Sequence, residues 1–209
     1  MSHNIKDILI ATTNPGKINE IYSFFDEKIK VLNLKDFSSI KEIEEDGETF
    51  EDNARKKAIG YSKAAGHLTL ADDSGLVVDA LNGAPGVKSA RFSGEKLKNE
   101  ERSLIDHRNI AKVLELLKNV PAEKRTARFV CCICLADSDH VLIETKGTLE
   151  GIIIEEETGT NGFGYDPIFF VPSLNKTVAQ LTQKEKNSIS HRGNALKKMK
   201  EQINILLKS

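Results

Sequence analysis

Ile8-Leu9-Ile10-Ala11-Thr12-Thr13-Asn14-Pro15-Gly16-Lys17 decides how this chain is organised. Ile8 to Ala11 form a short apolar run that reads as a buried strand. After a polar turn, apolar residues recur at Ile18, Ile21, Tyr22 and Phe25, the spacing of a helix face. Asn14 is a good N-cap, and Pro15 suits the first helical position, where its missing N–H costs nothing. A helix that starts directly after a strand offers unpaired N–H groups and a positive dipole end, which suits phosphate oxygens. The hydroxyls of Thr12 and Thr13 and the Lys17 ammonium complete a cradle for a triphosphate. Its glycine spacing is not that of a Walker loop, and the same residues also read as a capped helix with a surface lysine.

Outward from this stretch, Glu42 to Asp46 is an acidic loop, and a second helix carries Phe50, Ala54, Ala58, Tyr61 and Ala65 on one face. Leu68 to Ala71 reads as a strand ending at Asp72-Asp73-Ser74-Gly75, followed by the apolar run Leu76 to Ala80 and a loop with Gly83, Pro85 and Gly86. A third helix is expected between Glu100 and Leu117, using Leu104, Ile110, Val113, Leu114 and Leu117. From Arg125 to Gly151 the period becomes two, which predicts paired strands turning near Asp137-Ser138-Asp139. Ile168 to Val171 is a further strand. The tail from Arg192 closes as a helix through Leu196, Met199, Ile203 and Leu207. Early alternation of strands and helices with long strands later predicts an α/β fold, a mixed sheet flanked by helices, over residues 1–209.

Composition bounds the function. A chain 39% hydrophobic and 29% charged can build a core, and a net charge of -1 gives no global basic field for nucleic acid or membrane surfaces. The apolar run near the start is too short for a signal peptide or a membrane span. Cys131, Cys132 and Cys134 lie almost together and are odd in number, which fits a reducing cytoplasm. In a strand, Cys132 and Cys134 face one side and Cys131 the other, so we read them as packing residues.

Four further segments carry chemistry. Asp72-Asp73-Ser74-Gly75 sets two carboxylates after apolar residues, costly to bury without a cation or hydrogen bonds. Mg2+ prefers such oxygen ligands, and a carboxylate there could deprotonate a water; the alternative is an Asp-Ser-Gly turn. Near the second helix, Asp52 is a candidate second metal ligand, although Thr49-x-x-Asp52 is also a capping box. In Gly162-Phe163-Gly164-Tyr165-Asp166-Pro167 the glycines allow close backbone approach and Phe163 or Tyr165 could stack on a base, unless the segment is only a tight turn. Lys186-Asn187-Ser188-Ile189-Ser190-His191-Arg192 gathers donors for a base carbonyl or phosphate, or is an ordinary capped helix start. Together these are the parts of a nucleotide phosphohydrolase.

With these segments in order and at family-like spacing, joined by Gly86-Val87-Lys88-Ser89-Ala90-Arg91-Phe92, the chain resembles the inosine triphosphate pyrophosphatases over essentially its whole length. The resemblance implies a long mixed sheet with two lobes and a cleft, homodimers, Mg2+ dependence, and release of pyrophosphate and a monophosphate from non-standard purine triphosphates such as ITP, dITP and XTP. It implies that Thr12, Thr13, Asn14, Pro15, Gly16 and Lys17 hold the triphosphate. Asp73 is then the general base and a metal-linked carboxylate, and Ser74 touches the substrate. Phe163, Gly164, Tyr165, Asp166, Lys186, His191 and Arg192 line the base pocket. Asp52 stands where the family usually has Glu, so its metal role rests on a shorter side chain. Donors at His191 and Arg192 aimed at a 6-keto oxygen would be left unpaired by adenine, at about 1–3 kcal/mol each. A related pyrophosphatase for modified pyrimidines and a non-catalytic nucleotide sensor are the competing readings. A substrate panel separates the first, and the acidic pair argues against the second.

Overall fold

The computed structural model describes residues 7–25, 29–94 and 101–206. By its internal contacts the chain divides into two compact units. One is Met1–Asp73 with Cys131–Gly147 and His191–Ser209, the other Ser74–Val130 with Thr148–Ser190. Among the described residues the strands β1 (Asp7–Ile10), β2 (Lys30–Asn33), β3 (Thr69–Val78), β4 (Thr126–Asp137), β5 (His140–Ile153), β6 (Phe169–Val171) and β7 (Lys176–Thr177) form a seven-stranded sheet in the order β2-β1-β3-β4-β5-β6-β7. β1 runs parallel to β2 and to β3, whereas β6 is antiparallel to both β5 and β7. The sheet is therefore mixed, as the pattern of elements predicts.

In the first unit the opening stretch folds as read. β1 is followed by α1 (Pro15–Tyr22), whose N-cap Asn14 accepts from the N–H of Gly16 at 2.9 Å and of Lys17 at 3.3 Å. α1 ends at Tyr22, short of Phe25. α2 (Phe50–Ala65) is capped by Thr49 and stopped by Gly66 at φ 69, a left-handed position that suits glycine. Ile8, Ile10, Leu70, Cys131, Ile133 and Leu135 pack against Ile21 of α1 and against Leu196, Met199 and Ile203 of α5 (His191–Leu206). Leu207 lies outside the described residues. Removing one such side chain, as in Ile10→Ala, costs about 2–5 kcal/mol by the cavity it leaves.

In the second unit α3 (Arg102–Leu117) packs Ile110, Val113 and Leu117 against Leu76, Val78, Phe129 and Phe169. Leu104, expected on that face, is 54% exposed, and Ile105 takes the buried position instead. A short helix, α4 (Gln183–Ile189), precedes α5 and was not read from the sequence; Thr182 caps it reciprocally with Glu185.

Two strand readings change. β3 does not end at Asp72 but runs unbroken to Val78. Asp-Asp-Ser-Gly has turn composition, yet the strand continues because tertiary partners satisfy its charges. Gly75 is there for space, since a Cβ would lie 2.3 Å from Ser89 Oγ and 2.7 Å from the Gly86 carbonyl. β4 (Thr126–Asp137) is buried along nearly its whole length rather than on alternate residues, while β5 keeps the alternation. The three cysteines are buried and unbridged, Cys131 in the first core, as their packing role requires. Burial pushes the thiols of Cys132 and Cys134 up to about 12, so they are inert.

Candidate active site

Strand alternation sends the side chains of Asp72 and Asp73 to opposite faces of β3. Asp72 meets α1 and α5. Its carboxylate lies 3.1 Å from Lys17 Nζ and accepts from Nε and Nη2 of Arg192 at 3.2 and 3.1 Å, while Nη1 of Arg192 donates to Glu20. Glu20, Asp72 and Arg192 are all buried. Asp73 meets α2. The Asn53 amide donates to it at 3.0 Å, and Lys57 Nζ stands 4.0 Å away while donating to Glu45 at 2.8 Å and to the Asp72 carbonyl at 2.7 Å.

The two neighbouring carboxyls are driven apart. Burial alone would raise Asp72, but Lys17, Arg192 and Lys57 together outweigh it and hold the group well below the usual carboxylate range. Asp73 is raised: burial dominates, Glu45 adds to it, and Lys57, Lys17 and the Asn53 bond offset it only in part. For Lys57, burial opposes the charge, yet Asp72, Asp73 and Glu45 prevail and its pKa is raised. One carboxylate is thus a fixed anion among cations, and its neighbour is a stronger base than an ordinary aspartate.

Around the opening turn, Thr12 Oγ1 accepts from the Asn14 N–H at 3.2 Å, Thr13 is exposed, and Lys17 is turned toward Asp72. Asp52 stands three residues after the N-cap Thr49, whose hydroxyl does the capping. Its N–H donates to Thr49 Oγ1 at 3.1 Å, its carboxylate accepts from the Thr49 hydroxyl at 2.6 Å, and Arg55 lies 3.5 Å away. Among the described residues no set of three His, Cys, Asp or Glu is gathered for a metal. Ser74 is half-buried on β3. His191 and Arg192 open α5 and are buried, the guanidinium bound to Asp72 and Glu20 as described.

In the second unit, Gly162 at φ 81 and Gly164 at φ 62 shape the turn before β6. A Cβ on Gly162 would fall 2.0 Å from Asp166 Oδ2. That oxygen accepts from the Phe163 N–H at 2.9 Å and from Lys186 Nζ at 2.7 Å, and the same ammonium lies 4.4 Å from the centre of the Phe163 ring. Of the two aromatics, Tyr165 is a core residue whose hydroxyl donates to the Ser89 carbonyl at 2.9 Å, whereas Phe163 is only half-buried.

The sequence reading missed Glu20, Glu45, Asn53 and Lys57. A signal existed for two of them: Asn53 and Lys57 fall on the helix face of Phe50, Ala54, Ala58 and Tyr61, where a polar or charged residue calls for a buried partner.

A family model described as the Ham1 family matches residues 8–202. A Bacillus cereus protein named dITP/XTP pyrophosphatase is 48% identical over 203 residues, covering 96% of either chain. One of the same name from Desulforamulus reducens is 48% identical over 200 residues, 95% of this chain and 96% of that one. Among solved structures, the Staphylococcus aureus Ham1 protein superposes with a TM-score of 0.83 at 42% identity, covering 98% of this chain and 100% of the other. A nucleoside-triphosphatase / dITP/XTP pyrophosphatase from Mycobacterium abscessus gives 0.74 at 40% identity, with 92% and 98% coverage. With the match running from β1 into α5, this chain belongs to the Ham1 family.

Proposed function

We propose that this protein hydrolyses non-standard purine nucleoside triphosphates, dITP, ITP and XTP, to the monophosphate and pyrophosphate. The observation that carries the reading is the pair on β3: adjacent buried carboxyls with pKa values driven in opposite directions, beside the lysine of a helix that begins at a strand end. The printed activity of the relatives, dITP/XTP pyrophosphatase, supports the same substrate class.

In this reading Asp73 takes a proton from the attacking water as the α,β-anhydride bond breaks, its raised pKa making it the better base. Lys17 and the start of α1, with Thr12, Thr13, Asn14, Pro15 and Gly16, hold the phosphates and stabilise the charge that develops on them. Asp72 keeps Lys17 and Arg192 aligned, and Lys57 orients Asp73 and Glu45. Ser74, beside the base on β3, contacts the substrate. The purine is assigned to Phe163, Gly164, Tyr165, Asp166 and Lys186, with Phe163 the stacking ring, and its 6-keto oxygen to His191 and Arg192.

The donor set suits Mg2+, a hard ion held by one or two carboxylates plus phosphate oxygens. Asp73 and Glu45, which share the Lys57 ammonium, are assigned as its ligands; Asp52, the other candidate, is tied to Thr49 and Arg55 instead. The chemistry the bound ion supplies is neutralisation of charge on the leaving pyrophosphate. No helix among the described residues is long and apolar enough to cross a membrane. We carry forward a homodimer acting in the cytoplasm on free nucleotides as part of this reading.

The deciding assay is pyrophosphate release from dITP, ITP, XTP and dATP, with and without Mg2+. Release from the first three that disappears on chelation is the expected result. Equal rates on dATP, or no release from any, would overturn the assignment.

A further inference from the structure

The turn assigned to the purine is gripped from the outside by α3. Gly164, at φ 62, donates its N–H to Asp106 Oδ2 at 2.9 Å, and Asp106 is only 9% exposed. The neighbouring N–H, that of Phe163, goes to Asp166. Two successive amides of one turn thus end on two different carboxylates, one from within the turn and one from a helix 58 residues earlier in the chain. The other oxygen of Asp106 lies 3.0 Å from Nε of the half-exposed Arg102, one helical turn back, close enough for charge attraction but without a hydrogen bond.

Asn109, three residues on and on the same side of α3, grips a second segment. Its amide donates to the carbonyls of Ser89 and Ala90 at 3.3 and 3.4 Å, and its oxygen accepts from the Ser93 N–H at 2.8 Å. Ser89 is also where the Tyr165 hydroxyl donates. The segment from Gly86 to Phe92, with Ser93 after it, is therefore tied to the 162–166 turn through α3 and through Tyr165. Asp106 and Asn109 are buried polar residues on a helix whose neighbouring buried positions are Ile105, Ile110 and Val113. Burying them is costly without such partners.

We infer that Asp106 is a positioning residue for base recognition: by accepting from Gly164 N–H it holds the turn that presents the half-buried Phe163 ring. This inference rests on the assignment of the 162–166 turn to the purine. It concerns where the ring is held and not the reacting phosphate, so its loss weakens substrate capture and base discrimination more than the chemical step.

The test is steady-state kinetics with dITP and dATP on the full chain and its Asp106→Ala and Asp106→Asn variants, together with hydrogen exchange at the Gly164 amide. Loss of a hydrogen bond to a charged acceptor raises KM for dITP about tenfold or more in Asp106→Ala, with kcat within about threefold and the dITP-over-dATP preference reduced. Asp106→Asn, whose amide oxygen can still accept from Gly164, recovers most of the loss. Unchanged KM and preference in Asp106→Ala would overturn the inference. So would an equal fall in kcat and kcat/KM, or an Asn variant as impaired as Ala. In the unsubstituted protein the Gly164 amide should exchange slowly. Fast exchange there is fatal to the idea even if the Ala variant does not fold. An unsubstituted chain inactive on dITP would instead sink the proposed function, leaving the exchange result to judge the positioning role by itself.

Discussion

In the unit that carries β1, Asp72 and Asp73 stand among three cations, Lys17, Lys57 and Arg192, whereas in the unit that carries β6 Lys186 meets Asp166 beneath the ring of Phe163. Both assemblies bury charge, and each satisfies it with partners. They differ in what is left to do chemistry. The cations outweigh burial at Asp72 and burial outweighs them at Asp73, so that one carboxyl stays ionised and the other becomes a base. A lysine matched to an aspartate and capped by an aromatic ring is poised for recognition: it fixes a turn and offers a flat face. In the function proposed above, charge crowding goes with the reacting centre and charge matching with the binding surface.

The sharpest break in that comparison is Asp73→Asn. It should lower kcat by about 10²–10⁴-fold, the usual contribution of a positioned general base, while nucleotide binding survives. Because the folded pKa of Asp73 is raised, ionised Asp73 opposes folding at neutral pH, so the Asn variant should melt no lower than the unsubstituted protein. In the metal-free protein the same shift means that the Asp73 carboxylate is lost as pH falls through a value above the usual carboxylate range, and a bound divalent ion would move that value down. Near-normal turnover in the variant, or a metal-free Asp73 carboxyl that titrates at or below the usual range, would remove Asp73 from its role.

Asp72→Asn should behave in the opposite sense, costing about 3–5 kcal/mol of stability because it removes the buried anion shared by Arg192, which keeps only Glu20 as a carboxylate partner, and by Lys17. The folded pKa of Asp72 is depressed, so its contribution is present above the ordinary carboxylate range and fades as pH falls toward the depressed value. Urea unfolding at two pH values measures both. A variant as stable as the parent would mean that the cation cluster does not depend on this anion.

On the other side of the comparison, Phe163→Ala should cost about 1–3 kcal/mol of binding, the range for a base stacked on an aromatic ring, read in KM with little change in kcat. A fall in kcat alone would make the second assembly catalytic and erase the distinction drawn above. The smallest effects separate the metal candidates. Glu45→Gln should raise the Mg2+ concentration for half-maximal activity about tenfold, the lower end of what altered metal-site groups cost. Asp52→Asn should leave it unchanged and shift stability by no more than about 0.5 kcal/mol, as for a surface substitution. The reverse order would return Asp52 to the metal.

The sequence made the opening unit legible because its signals are local. Asn14, Pro15 and the spacing of Ile18 and Ile21 encode a cap and a helix with no help from the rest of the chain. The long hairpin was legible for the same reason, with Ser138 at φ 53 in the turn that was expected. What failed was non-local. Asp-Asp-Ser-Gly has turn composition, and only Lys17, Lys57, Asn53 and Arg192, far away in sequence, allow a strand to carry it. Leu104 fits a helix stripe in one dimension but is displaced by Ile105 once the helix meets its core. Glu20 and Glu45 look like ordinary surface acids until their cations are in place. Spacing alone could bring out Lys17 and the carboxylate pair, but not the second layer that surrounds them.

Gly75 sits two residues beyond Asp73, jammed against Ser89 and Gly86 with no room for even a methyl group. It acts as a stop on a ruler. One residue inserted between that stop and the acidic pair would rotate each carboxyl onto the opposite face, turning Asp73 toward Arg192 and Asp72 toward Asn53 and Lys57. In any descendant of this chain, the count of residues from Asp72 to Gly75 therefore decides which partners each carboxyl meets.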